Sequence, residues 1–234
     1  MSIVPVTTRV CQVIQVDLLP YTEAWAWQRR LAAERSAGRG PDTLLLLEHP
    51  PTITLGSKAD PTHVLADSAE LARRGVACVP TDRGGDVTYH APGQLVGYPI
   101  LKLGPLGIGV VDYVRRLEEL IIRLLARYTI VGERVSGLSG VWVKGGTAKI
   151  AAVGVKVSAA GVTTHGFALN RAPAMLGFGL IVPCGIADRG VTSIEQLLCW
   201  APPRAALTAQ LIELFGEVFA VDLLQEYTAQ AQSF

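Results

Sequence analysis

The sequence predicts an α/β (α+β) fold with a mixed, largely antiparallel sheet packed by helices. Three observations predict it. Segments that alternate every second residue are interleaved with segments whose apolar residues recur every three or four. A continuous apolar run at 43–48 has the length of a strand covered on both faces. Late in the chain three strand-like segments follow one another across glycine turns, which reads as a meander of hairpins.

The elements follow in order. Residues 9–16 (RVCQVIQV) suit a strand, and 21–34 a helix with Trp25, Leu31 and Ala32 among its apolar positions, closed by Gly38, Arg39 and Gly40. After 43–48 come Pro50 and Pro51, then an alternating strand at 52–55 that stops at Gly56. A short helix is expected at 62–74, a strand at 76–81 and another at 94–101. The clearest helix is 110–128, where Val114, Leu117, Ile121, Leu124 and Tyr128 share one side. Arg116, Glu119, Arg123 and Arg127 fill the other, with Glu119 and Arg123 placed as a helical ion pair. Strands at 141–144, 148–158 and 162–169 form the meander. A Gly- and Pro-bearing loop spans 171–190, and helices at 192–198 and 204–219 end the fold. One domain over 1–234 is expected, with a frayed tail at 228–234.

Bulk properties exclude more than they identify. The chain has 234 residues, 50% hydrophobic and 18% charged, enough to bury a full core. Lys plus Arg number 21 against 20 acidic residues, so no nucleic-acid surface or polybasic membrane patch is expected. The apolar runs are too short for a membrane span, and no leader pattern opens the chain, so a cytoplasmic protein is the expectation. Cys11, Cys78, Cys184 and Cys199 are scattered as free thiols are, not as a disulfide framework. The histidines at 49, 63, 90 and 165 make no ligand spacing, so no metal is expected.

Three segments depart from what packing alone asks for. In RGGDVTYH (83–90), Gly84 and Gly85 let a backbone approach a ligand closely, with Arg83 and His90 bracketing them; a tight turn between strands is the commoner origin of such a pair. In TAKIAAVG (147–154), Lys149 stands in an apolar strand, where a buried ammonium needs a partner. Strict alternation would put it on one face with Ala151 and Val153; a solvated face is the bland reading. In VPCGI (182–186), Cys184 lies between proline and glycine in a loop, where nucleophiles can be presented, although a lone cysteine is commonly inert. A nearby ammonium would lower the pKa of such a thiol and could shuttle its proton. The spacing itself does not bring Lys149 and Cys184 together.

Taken in order, RGGDVTYHAPGQLVGYPI, KIAAVGVKVS, THGFALN and VPCGIADRGVTSI resemble the lipoate–protein ligase B family of octanoyl-[acyl-carrier-protein]:protein octanoyltransferases, over about 49–197. The resemblance implies a single domain similar to the catalytic module of biotin– and lipoate–protein ligases. It implies an acyl-thioester cysteine at Cys184 and a pKa-lowering lysine at Lys149. It also implies substrate contacts from Arg83, Gly84, Gly85, Asp86, Val87, Thr88, Tyr89 and His90, from Ala152, Val153 and Gly154, and from Gly166, Phe167 and Ala168. His49, Tyr98, His165 and Asn170 fall in matching blocks as residues that line or brace the pocket. The implied donor is octanoyl-acyl carrier protein, and the implied acceptors are lipoyl domains of 2-oxoacid dehydrogenase E2 subunits and the glycine cleavage H protein. No cofactor is implied, because the acyl group arrives as a phosphopantetheine thioester. The sequence departs from the family pattern at Ser57-Lys58 and at 171–179.

Rival readings are an ATP-dependent lipoate or biotin ligase, a Cys184-dependent thioesterase with His165 or His90 as base, and a silent acyl carrier. GPLGIG (104–109) lacks the dinucleotide-binding order of glycines.

Overall fold

A computed structural model describes residues 9–183 and 189–227. Cys184, central to the resemblance, and the expected frayed tail 228–234 lie outside the described residues. In order the elements are β1 (Val10–Leu18), α1 (Tyr21–Ser36), β2 (Asp42–Glu48), β3 (Thr52–Leu55), α2 (Ser68–Arg73), β4 (Ala77–Pro80) and β5 (Val87–His90). There follow β6 (Gln94–Ile100), α3 (Leu103–Leu106), α4 (Val110–Ala126), β7 (Val141–Val143), β8 (Ala148–Val157), β9 (Thr163–Asn170), β10 (Gly190–Val191), α5 (Ile194–Leu198), α6 (Arg204–Phe219) and β11 (Asp222–Tyr227).

The large sheet runs β10-β8-β9-β6-β2-β1-β11, with β7 also on β8, and a small sheet runs β4-β3-β5. The centre of the large sheet is antiparallel, including the expected β7-β8-β9 meander, while β1 is parallel to both β2 and β11. The mixed sheet read from the sequence is present. β2 is doubly covered as expected: Leu44 and Leu46 enter the core beneath α4 and α6, while Leu45 and Leu47 enter the core beneath α1. A third cluster, with Ile53, Val87 and Tyr89, lies under the small sheet. On α4 the expected ridge packs inward through Leu117, Ile121 and Leu124, and Glu119 pairs with Arg123 at 2.9 Å.

Some expectations need correction. The helix expected at 62–74 is a 3-10 turn at Pro61–His63 followed by α2. Each has its own cap, Asp60 accepting from the Thr62 N–H and Asp67 from the Glu70 N–H, so two starts replace one. β5, α3, β10 and β11 are not legible in the sequence: they are short, and their strand or helix character comes from partners rather than propensity. Among the described residues no helix is long and apolar enough to cross a membrane.

Candidate active site

A cleft of about 240 Å³ opens between the large and small sheets. Its floor exists because two cross-strand pairs of β8 and β9 are small, Ala152↔Ala168 and Gly154↔Gly166. Larger side chains at 152 or 168 would enter the space, while a Cβ at Gly166 would stand 2.1 Å from the Gly97 carbonyl oxygen of β6. The loop 83–85 closes one side by docking on β8, with the Gly84 N–H donating to the Val155 carbonyl at 2.9 Å. A Cβ on Gly154 would stand 2.9 Å from the Gly84 carbonyl oxygen, so glycine at 154 is what lets the two backbones meet. The glycine pair therefore docks backbone on backbone, in addition to bordering the cleft.

Most residues implied by the resemblance converge here. Arg83, Gly84, Gly85, Asp86, Thr88, His90, Tyr98, Lys149, Ala152, Val153, Gly154, His165, Gly166, Phe167 and Ala168 line the cleft. Val87 and Tyr89 do not: 87–90 is a strand, its side chains alternate, and these two turn into the apolar cluster of the small sheet. Contact across the whole of 83–90 is corrected accordingly. His49 is a brace, not a lining residue, and Asn170 lines a second, small cavity that Lys149 shares. Sequence reasoning missed Tyr21, Gly137, Leu138 and Ser139 as lining groups. The last three lie in a glycine-flanked turn pinned by Glu118, a buried carboxylate that accepts from the Gly140 N–H at 3.1 Å and pairs with Arg115 and Arg134. The flanking glycines were the available signal.

Lys149 is 7% exposed, but not through strict alternation. β7 pairs Val141 with Ala151 and Trp142 with Lys149, so Ile150 is an extra residue, a β-bulge. The bulge resets the facing: Lys149 lines the small cavity with Ala152, three positions on, while Ile150 and Ala151 enter the core. The expectation that Lys149 shares a face with Ala151 and Val153 is overturned for that reason. Pro183 and Val191 line the same small cavity, Val191 pairs with Lys149 in register, and the Thr192 N–H donates to the Lys149 carbonyl at 3.0 Å.

Behind the cleft lies a buried network with assignable protons. His49 Nδ1 donates to the Leu19 carbonyl at 2.6 Å, so its Nε2 accepts from the Tyr98 hydroxyl at 2.7 Å. Burial lowers His49 to about 4, which keeps the imidazole neutral and fits that acceptor role. Gln94 Nε2 donates to Tyr89 O and Asn170 Oδ1, leaving its Oε1 to accept from His90 Nδ1 at 3.1 Å. His90 is thus held in one tautomer, and burial pushes its pKa well below the ordinary histidine value. His165 Nε2 donates to Asp82 Oδ1 at 2.7 Å; burial lowers the histidine despite that carboxylate. Burial works to raise the Asp82 carboxyl, and hydrogen bonds from Lys156 and His165 outweigh it, holding it below the usual range. Arg83 is anchored on β3 through Thr54, donating to its carbonyl at 2.6 Å. Asp86 accepts from His63 Nδ1 at 2.5 Å. The cleft thus offers neutral imidazoles and phenols, the cations Lys58, Arg83 and Lys149, and an apolar floor. Among the described residues no group of His, Cys, Asp and Glu side chains could hold a metal ion.

The profile of the lipoyl protein ligase A/B catalytic domain family matches residues 20–216. The chain is 63% identical over 214 residues to an octanoyltransferase of Chloroflexus aurantiacus, covering 92% of this chain and 96% of that one. It is 51% identical to an octanoyltransferase of Roseiflexus sp., covering 92% and 89%. Its fold is similar to the bi-partite lipoate protein ligase of Thermoplasma acidophilum (TM-score 0.68, 13% identity, 95% of this chain and 88% of that one). It is also similar to biotin protein ligase from Aquifex aeolicus in complex with biotin and ATP (TM-score 0.52, 12% identity, 89% and 70%).

Proposed function

The chain belongs to the lipoyl protein ligase A/B catalytic domain family, and from that premise we propose that it transfers an octanoyl group through a thioester on Cys184. It is an acyltransferase, and octanoyl transfer in protein lipoylation is its activity. In our reading the donor is octanoyl-acyl carrier protein. The Cys184 sulfur attacks the thioester carbonyl, the bond to the phosphopantetheine sulfur breaks, and that thiol leaves protonated. A lysine amine of a lipoyl domain, in a 2-oxoacid dehydrogenase E2 subunit or the glycine cleavage H protein, then attacks the acyl-enzyme. An amide forms and the Cys184 thiol is released.

Lys149 stabilises the thiolate by its charge and hands protons between thiol and leaving group. Arg83, Gly84, Gly85, Asp86, Thr88 and His90, with the floor residues Ala152, Gly154, Gly166 and Ala168, hold the acyl chain and the arm that delivers it. A thioester-to-amide exchange runs downhill, so no nucleotide or other cofactor takes part. The observation that supports this reading best is the position of Lys149. It is buried where the cleft meets the small cavity, with Pro183 and Val191, on either side of 184–188, lining that cavity with it.

The test is intact-protein mass spectrometry after exposure to octanoyl-acyl carrier protein. An octanoyl adduct on Cys184 that a lipoyl domain discharges is expected, with no adduct and no transfer from Cys184→Ala. Retained turnover by that variant would remove the mechanism. Efficient transfer from free octanoate that requires ATP would favour ligase chemistry instead.

A further inference from the structure

The lysine of the cleft has an aromatic seat. Lys149 Nζ stands 4.6 Å from the centroid of the Trp142 ring, and Arg189 Cζ stands 5.4 Å from the same centroid. Both distances lie within the reach of a cation–π contact. Trp142 and Lys149 are partners across β7 and β8, next to the bulge at Ile150.

Trp142 is 1% exposed, and its indole N–H has no hydrogen-bond partner among the described residues. Buried indoles usually direct that N–H to an acceptor, and an unpaired one costs stability that phenylalanine or leucine would not incur. Filling space is therefore a poor account of tryptophan here. What it offers over phenylalanine is the stronger negative potential of its ring face, the property a desolvated ammonium uses. Two cations from different elements come within reach of the ring, Lys149 on β8 and Arg189 just before β10.

We propose that Trp142 is a positioning residue for acyl transfer: its ring face seats the Lys149 ammonium where the cleft meets the small cavity lined by Pro183 and Val191. The proposal rests on the Cys184–Lys149 reading above. It adds that the lysine's place depends on an aromatic ring in the partner strand.

The experiment combines substitutions at 142 with a double-mutant cycle to Lys149. With tryptophan, phenylalanine and leucine at position 142, kcat is expected to fall in that order. Trp142→Leu should lose about 2- to 30-fold, the equivalent of about 0.5–2 kcal/mol for such a contact. KM for the acyl donor should stay nearly constant, because the ring acts through the lysine. In a Lys149→Ala background, Trp142→Leu should cost nothing further. Thermal unfolding of each variant shows whether leucine weakens the fold, and Trp142→Phe, close in shape, keeps the comparison open if it does. Equal kcat for all three residues at 142, or the same leucine penalty with and without Lys149, overturns the aromatic seat alone. A Lys149→Ala enzyme at full rate overturns both this proposal and the reading beneath it.

Discussion

β8 and β9 run through the molecule with two unlike faces. Toward α4 and α6 they present Ala151↔Leu169 and Val153↔Phe167, side chains that join a continuous apolar core. Toward the small sheet the same strands present Ala152↔Ala168 and Gly154↔Gly166, which leave a cleft bordered by histidines, tyrosines and cations. One strand pair thus serves burial on one side and an open site on the other. The difference lies in side-chain volume: the core face carries side chains buried against α4 and α6, and the small residues of the other face leave the cleft. Substitutions on the two faces should separate stability from activity.

The largest stability effect is expected on the core side. Phe215, fully buried on α6 and stacked on Phe219 with centroids 4.5 Å apart, should cost about 3–5 kcal/mol when replaced by alanine. Denaturant unfolding measures this, and kcat per folded molecule should be unchanged. A loss below about 1 kcal/mol would mean that this core collapses around the gap, and the contrast between faces would weaken.

A smaller effect is expected from the brace behind the cleft, and it depends on pH. His49 has its folded pKa lowered to about 4 by burial, below the ordinary value of about 6.5. The unfolded chain therefore binds more protons between these values. The stability His49 contributes is complete above about pH 6.5 and is lost as pH falls toward 4, on the order of 3 kcal/mol in all. Unfolding free energy followed against pH should show this slope, and His49→Gln should flatten it. An unchanged slope in that variant would assign the acid sensitivity to other groups.

The smallest effect on stability, and the sharpest on specificity, belongs to the floor. Ala168→Val adds methyl groups to space the fold leaves open, so stability should change by less than about 1.5 kcal/mol. Preference should move toward acyl donors shorter than octanoyl, read as the ratio of kcat/KM across a chain-length series. A proportional loss for every length would mean that the acyl chain lies elsewhere.

Much of this architecture is legible in the amino-acid sequence. The period of α4, the doubly covered β2 and the β7-β8-β9 meander follow from local patterns, and the structure has all three. The segments 83–90 and 147–154 depart from packing patterns by their own residues and 164–170 is marked by the family resemblance; distant in the chain, the three meet at one cleft. What escapes a sequence reading are features that need a partner. β5 is a strand because β3 pairs with it, and only that pairing turns Val87 and Tyr89 away from the cleft. Tyr21 carries no local signal and Leu138 only that of its flanking glycines, and they reach the cleft only when α1 and the Glu118-pinned turn pack against the sheet.

By itself the sequence determined the element types, the apolar faces and the residues with chemical potential, because periodicity and residue type act over a few neighbouring positions. The tertiary structure alone decided which of those residues share a surface. It turned Lys149 off its expected face with a bulge and set it over Trp142. It also opened a cleft where four small residues from two strands fall side by side. Those outcomes depend on strand register and on packing between distant segments, and no local pattern encodes either.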